Sequence, residues 1–185
     1  MTNRTSERKA AAREHALSHI EKNGFGAATA TRLAAASGIS RRTFFRYFES
    51  REDVVAEGLD PIGATLIAIV FDRPPGERAQ QAAAAALRTL AEHLPGNPDQ
   101  IRRLLEITVA TEAIRARLVT RQDRWRRDLT DTFTARGANP DDAAAVAAAA
   151  VAIIDTVLQL WRVSEARDAS AEMALALAAV RWVAL

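Results

Sequence analysis

The chain contains no cysteine, which excludes a disulfide framework and any thiolate metal site. Histidine is nearly as scarce. His15 and His19 have the four-residue spacing of a metal pair, but both fall off the apolar stripe of their helix and the third, His93, is remote. No His-Glu-x-x-His pattern, glycine-rich phosphate loop, nucleophile elbow or paired-carboxylate motif is present. These gaps argue against an enzyme and against a metal or cofactor. No unbroken apolar run reaches the roughly 18 residues needed to span a bilayer. The first residues, "MTNRTSERKAAAREH", lack the apolar middle of a signal peptide. The expectation is a cytoplasmic protein with no membrane partner.

A strong excess of one charge is also missing, since the net charge is +2 over 185 residues. The distribution is uneven, however. Residues 1–52 carry ten Lys/Arg against five Asp/Glu, and residues 53–185 carry fifteen against eighteen. A basic head on a slightly acidic body is the pattern of a polyanion-binding module joined to something else.

What remains is helix-forming. Ala, Leu, Arg and Glu dominate, β-branched alternation is absent, and Gly, Pro and Asn fall in a few places that punctuate the chain. The pattern predicts an all-α protein with helices near 6–23, 29–36, 40–47, 51–71 with a fault at Pro61, 76–93, 99–109, 111–136, 140–163 and 170–184. In the first, Ala12, Ala16, Leu17 and Ile20 share a face, and Asn23-Gly24 is a left-handed cap. Thr29 can cap the second, which buries Leu33 and Ala34. Only Gly38-Ile39-Ser40 separates the second helix from the third, and a compact tri-helical unit with glycine in that turn reads as helix-turn-helix.

Residues 37–52, "SGISRRTFFRYFESRE", hold four arginines. With Ser40 as N-cap of the third helix, Ile39 and Phe44 form a hydrophobic staple, and Phe44 and Phe48 form the buried stripe. Arg42 and Arg46 project from the other side. Like charges four apart repel, and cations in a first helical turn cost about 0.3–1 kcal/mol each. Nothing local stabilises this arrangement, whereas DNA would: an arginine at the start of a recognition helix can grip guanine O6 and N7, and Thr43 is small enough to touch a thymine methyl or a phosphate.

The stretch "TATRLAAASGISRRTFFRYFESRED", extended back through "AREHALSHIEKNGF", resembles the DNA-binding signature of TetR-family bacterial transcriptional regulators. The resemblance covers about the first 55 residues. It implies an N-terminal helix-turn-helix domain over 1–51 and an effector-binding and dimerisation domain of six helices over 52–185. It further implies DNA contacts by Thr29, Thr31, Arg41, Arg42, Thr43, Phe45, Arg46, Tyr47 and Arg51, with Tyr47 and Arg51 meeting phosphates. Arg51 stands where lysine is commoner, and Ile20 where phenylalanine is usual.

Beyond residue 55 periodicity carries more of the reading. In 140–163, Val146, Ile153, Val157 and Leu160 make a seven-residue stripe, widened by Ile154, Leu158 and Trp161. The segment 170–184 is apolar around much of its circumference and includes Trp182. Two such final helices resemble the family's dimerisation element, a four-helix bundle shared by two subunits, with Ile153, Val157, Leu160, Trp161 and Trp182 at its seam. A homodimer would read a palindromic operator in double-stranded DNA. In this family a helix such as 111–136 helps line an effector cavity. That makes Leu66, Leu118, Gln122, Trp125 and Leu129 the ligand-binding candidates, with Gln122, Trp125, Asp155 and Gln159 left open between pocket, core and dimer seam. The segment "RARLVTRQDRWRRDL" is faintly similar to regulators of acyl-CoA-like ligands. The expected function is a DNA-binding regulator, a repressor released by an amphiphilic or apolar ligand. The alternative is a helical protein-interaction or small-molecule-sequestering module whose basic head binds no specific DNA.

Overall fold

The computed structural model describes residues 2–94 and 96–164 and is all-helical over them. In chain order the helices are α1 (Thr2–Asn23), α2 (Ala30–Ala36), α3 (Arg41–Tyr47), α4 (Arg51–Glu57), α5 (Asp60–Phe71), α6 (Ala79–Glu92), α7 (Pro98–Ala110), α8 (Glu112–Ala135) and α9 (Pro140–Val163). A single 3-10 turn, Phe25–Ala27, precedes α2. The expected helix at 170–184, and Trp182 with it, lies outside the described residues.

Contacts divide the chain into two units, Met1–Asp60 with Glu106–Leu118, and Pro61–Leu105 with Val119–Leu185. The first unit thus extends past the boundary expected at residue 51, because α4 is bound to α1. Lys9 donates to the Glu57 carboxylate at 2.8 Å and Arg13 to the Glu57 carbonyl at 3.3 Å. Glu57 is only 6 % exposed, so its ion pair satisfies a charge that would otherwise be costly to bury.

In this unit α1 packs on α2 and α4, and α2 on α3. Ala12, Ala16, Leu17 and Ile20 of α1, Leu33 and Ala34 of α2, and Phe44 and Phe48 around α3 are all buried. The helix ends follow the sequence closely. Thr29 accepts from the Arg32 N–H, Ser40 from Thr43 and Ser50 from Asp53, so three successive helices begin with hydroxyl caps. Gly38 takes φ +64°, and Ile39 donates back to the Ala34 carbonyl at 3.0 Å, closing α2 in a left-handed turn. The 3-10 turn at Phe25–Ala27 was not foreseen, since three residues carry no periodicity to read.

The fault expected at Pro61 falls slightly earlier. α4 ends at Glu57, Gly58-Leu59 makes the turn, and Pro61 sits in the first turn of α5, where a missing donor is harmless.

The second unit is built around α6 against α9. Both helices bury alanines (Ala82, Ala83 and Ala86 on one, Ala143, Ala147 and Ala150 on the other) with Leu87, Leu90, Val157 and Trp161. Small side chains let the two backbones approach while the larger ones fill the ends. At the carboxy end of α8, Arg136 donates to the carbonyls of Phe71, Arg73 and Pro74 at 3.3, 2.7 and 2.8 Å and so fastens the loop after α5. Arg73 and Glu77 form a two-pronged ion pair in the same loop, with contacts of 2.8 and 2.7 Å.

By length and composition, residues 51–71 and 140–163 could each cross a membrane, which corrects the expectation drawn from unbroken apolar runs. Half of each segment is buried inside the chain, as in a core helix, and the first is interrupted at Gly58-Leu59.

Candidate nucleic-acid interface

The third helix displays its charge as the sequence suggested. Ser40 accepts from the Thr43 N–H at 3.1 Å and lies 3.0 Å from the Thr43 hydroxyl. Phe44 is fully buried with its ring centroid 5.2 Å from that of Phe48, and Ile39 is half-buried, the arrangement a staple requires. With that face anchored, Arg41, Arg42 and Arg46 are left exposed, and α3 has no acidic residue in its first turn to offset them.

Two of these arginines lie over neighbouring aromatic rings. The Arg41 guanidinium is 5.5 Å from the Phe45 ring centre, and that of Arg46 is 5.3 Å from Tyr47. Phe45 is 46 % exposed, unusual for a phenylalanine; its ring meets Phe44 edge-on at 5.6 Å. Stacking holds the long side chains extended across the face, which lowers the entropy cost when they engage a partner. Thr29 and Thr31 are exposed at the start of α2, and Thr43 and Tyr47 are half-buried.

Arg51 differs from the other assigned residues. Its Nη1 donates to the carbonyls of Phe25 and Ala28 at 3.3 and 3.4 Å, and its guanidinium lies 4.5 Å from the Phe25 ring centre. Its Nε donates to Glu52 at 3.0 Å. Burial would raise the Glu52 carboxyl, but its own backbone N–H, the Arg51 guanidinium and the Ser50 hydroxyl together hold it below the usual carboxylate range. The same unit contains an ion pair at the end of the recognition helix, Arg117 of α8 to Glu49 at 2.5 Å. Sixty-eight residues separate those partners, so no local sequence pattern could have disclosed it.

The residues assigned to an effector are disposed less openly. Leu66, Trp125 and Leu129 are buried in the second unit, while Leu118 is buried in the first. The Trp125 indole lies directly on Gly63 and occupies the space where any side chain at that position would stand. Gln122 donates to Asp155 at 3.0 Å, pairing two polar groups whose surroundings the sequence left undecided. A void bordered by Ile62, Leu90, Ala91, Leu94, Ile154, Val157 and Leu158 measures about 10 Å³, room for no more than one water. A cleft of about 410 Å³ opens instead among Gly76–Gln80, Phe133 and Arg136–Asn139, with Asp142 at its rim. None of the five assigned residues borders it.

The residues assigned to the dimer seam are placed as follows within one chain. Ile153, Val157 and Trp161 are buried in the second unit, and the Arg102 guanidinium covers Trp161 at 4.7 Å. Among the described residues of that set, Leu160, 43 % exposed, faces outward. The heptad stripe counted only large residues and so found the core face, while the opposite face carries Ala145, Ala148, Ala149, Ala152, Thr156, Leu160 and Val163, all exposed. Among the described residues no group of three or more His, Asp or Glu side chains is placed to hold a metal ion.

Comparison with known proteins agrees with this geometry. Residues 12–57 match the model of the bacterial regulatory proteins of the tetR family. No curated protein matches the chain in sequence. Among solved structures, a protein described as a TetR-family transcriptional regulator from Syntrophomonas wolfei superposes with a TM-score of 0.65 at 16 % identity, covering 97 % of this chain and 95 % of its own. One of the same description from Rhodococcus gives 0.60 at 17 % identity over 96 % and 98 %. FadR of Thermus thermophilus, a TetR-family transcriptional repressor in complex with lauroyl-CoA, gives 0.55 at 18 % identity over 94 % and 93 %. Residues 12–57 thus match the bacterial regulatory proteins of the tetR family, and the chain as a whole has the fold of the solved TetR-family regulators.

Proposed function

We propose that the protein is a cytoplasmic transcriptional regulator that binds a palindromic operator as a homodimer, and that it is a repressor released by a small amphiphilic ligand. The observation that carries this reading is the exposed row Arg41, Arg42, Phe45 and Arg46 on a helix whose opposite face is locked by Phe44 and Phe48. Three cations and an aromatic ring in two turns, with no acid in the first turn, are stabilised by phosphates and guanine edges and by little else. Thr29, Thr31, Thr43 and Tyr47 complete the contact surface. Thr43 and Tyr47 are held by α3 itself, and Thr29 and Thr31 enter from the start of α2.

The effector part of the reading draws on the fold. FadR of Thermus thermophilus shares it and holds lauroyl-CoA, so an acyl-CoA is the ligand to titrate first. With Trp125 against Gly63 and Leu129 fully buried, a ligand seated on these residues has to displace the indole. Selection of bound duplexes from a random pool tests the core of the proposal. Recovery of a palindrome with half-sites about one helical turn apart is the expected result. Retention of all sequences alike, with affinity set only by salt, would leave the basic head as a non-specific polyanion binder.

A further inference from the structure

We propose that Arg51 is a positioning residue, which locks the entry of α2 to the junction between α3 and α4, and that it is not one of the phosphate contacts. The inference rests on the DNA-binding reading above and changes the role of one residue in it. Thr29 and Thr31 at the start of α2, and the arginines of α3, must meet the same stretch of DNA backbone and groove. Their relative placement is therefore part of the binding site. The chain enters α2 through the 3-10 turn Phe25–Ala27, which packs on α1, and a single buried residue, Ala28.

Two arginines hold the carbonyls of that turn. Arg32 donates to Ala27 at 3.1 Å, a contact internal to α2 and its approach. Arg51 reaches from the first position of α4 to the carbonyls of Phe25 and Ala28 and lies over the Phe25 ring. Ala28 is the residue before the Thr29 cap, and Arg51 follows the Ser50 cap of α4. One guanidinium thus fastens two helix starts. Glu52 takes the remaining Nε–H at 3.0 Å and balances the charge locally. A guanidinium with three of its donors committed, one ring face covered and a carboxylate alongside is poorly placed to neutralise a phosphate. A lysine cannot reproduce this, because an ammonium has no planar fork to span two carbonyls while stacking on a ring.

Salt dependence separates the two roles. Removing one phosphate-binding cation lowers the slope of log affinity against log salt by about 0.9. With operator selected from the random pool, the full-length Arg51→Gln variant is expected to bind about tenfold or more weakly with an unchanged salt slope and unchanged affinity for random duplex. Arg51→Lys should fail to rescue it, and Phe25→Leu, which alters no charge, should share the defect. In the free protein, all three changes should shift the amide resonances of Ala28, Thr29 and Arg32 while leaving those of α9 in place. A reduced slope with full rescue by lysine and a harmless Phe25→Leu would make Arg51 a phosphate contact and overturn the proposal. If the wild type selects no operator, the DNA-binding reading fails, and the resonance shifts still decide whether Arg51 fixes the start of α2. A variant that does not fold is replaced by Phe25→Leu, whose slope and shifts answer the same question.

Discussion

Arg42 is exposed in the first turn of α3, beside Arg41 and one turn before Arg46. Its position opposes the helix dipole, at a cost of about 0.3–1 kcal/mol, and the cost is recovered only against an anion. If its fork reads a guanine, Arg42→Ala should relax specificity at one base position per half-site and weaken each by about 1–3 kcal/mol. Binding to a panel of single-base operator variants measures this; equal losses at every position would assign Arg42 to the backbone instead. Glu77 makes a residue-scale argument in the second unit. The hydrogen bond from Arg73 holds its carboxyl below the usual carboxylate range, against the opposing pull of burial, and the Arg73 and Arg136 charges add to the effect. A carboxyl whose pKa is depressed in the folded state stabilises the fold above its unfolded pKa, about 4.3, and that contribution fades as pH falls through the folded value. Glu77→Gln should therefore lower Tm at pH 7 and converge with the wild type once pH has fallen below the folded value. A gap that persists or widens in acid would mean that the pair acts through packing.

At the scale of the element, the contact between α5 and α8 depends on a missing side chain. A methyl group at Gly63 would stand within the Trp125 indole, so Gly63→Ala should destabilise the protein by about 1–3 kcal/mol through overpacking. In a Trp125→Leu background most of that penalty should vanish. Urea denaturation of the four proteins of the cycle tests it, and additive losses would show that the two residues do not share the space. Why Gly63 is glycine cannot be read from the sequence, because the reason lies sixty-two positions away in α8. The same holds for Gln122 with Asp155 and Arg117 with Glu49. What is legible is local. The Ser40 cap, the Ile39–Phe44 staple and the Gly38 turn all depend on residues within a turn of one another, and each stands where the sequence puts it, while the break near Pro61 falls two to three residues early. The recognition helix belongs to this class, which is why the exposed arginines were identifiable. The face of α9 does not. Where alanine dominates, apolar periodicity marks a core stripe without saying what covers the other side.

For the molecule as a whole, the proposed homodimer turns one reading head into two, and the other side of α9 is the face on which its seam can be tested. A single seven-residue recognition helix spans too few base pairs for a unique site, and a second copy related by a dyad doubles the reading length. The exposed face of Ala145, Ala148, Ala149, Ala152, Thr156, Leu160 and Val163 runs along α9 opposite its buried face. Small residues there permit close approach of a second helix, and Leu160 and Val163 supply apolar area at one end. Ala152→Glu and Leu160→Glu are expected to shift the protein from dimer to monomer in sedimentation at micromolar concentration, with helicity unchanged. DNA affinity should drop steeply in both, because a monomer makes half as many phosphate contacts and its salt slope falls accordingly. Val157→Asp offers the contrast. Val157 is buried within its own unit, so an unpaired carboxylate there should depress Tm by destabilising the fold itself. A wild type that sediments as a folded monomer and still selects a palindrome would place dimerisation on the DNA. If Val157→Asp instead gives a stable monomer while Ala152→Glu remains dimeric, the seam lies on the face of α9 that packs inward here, and the second unit must open to form it.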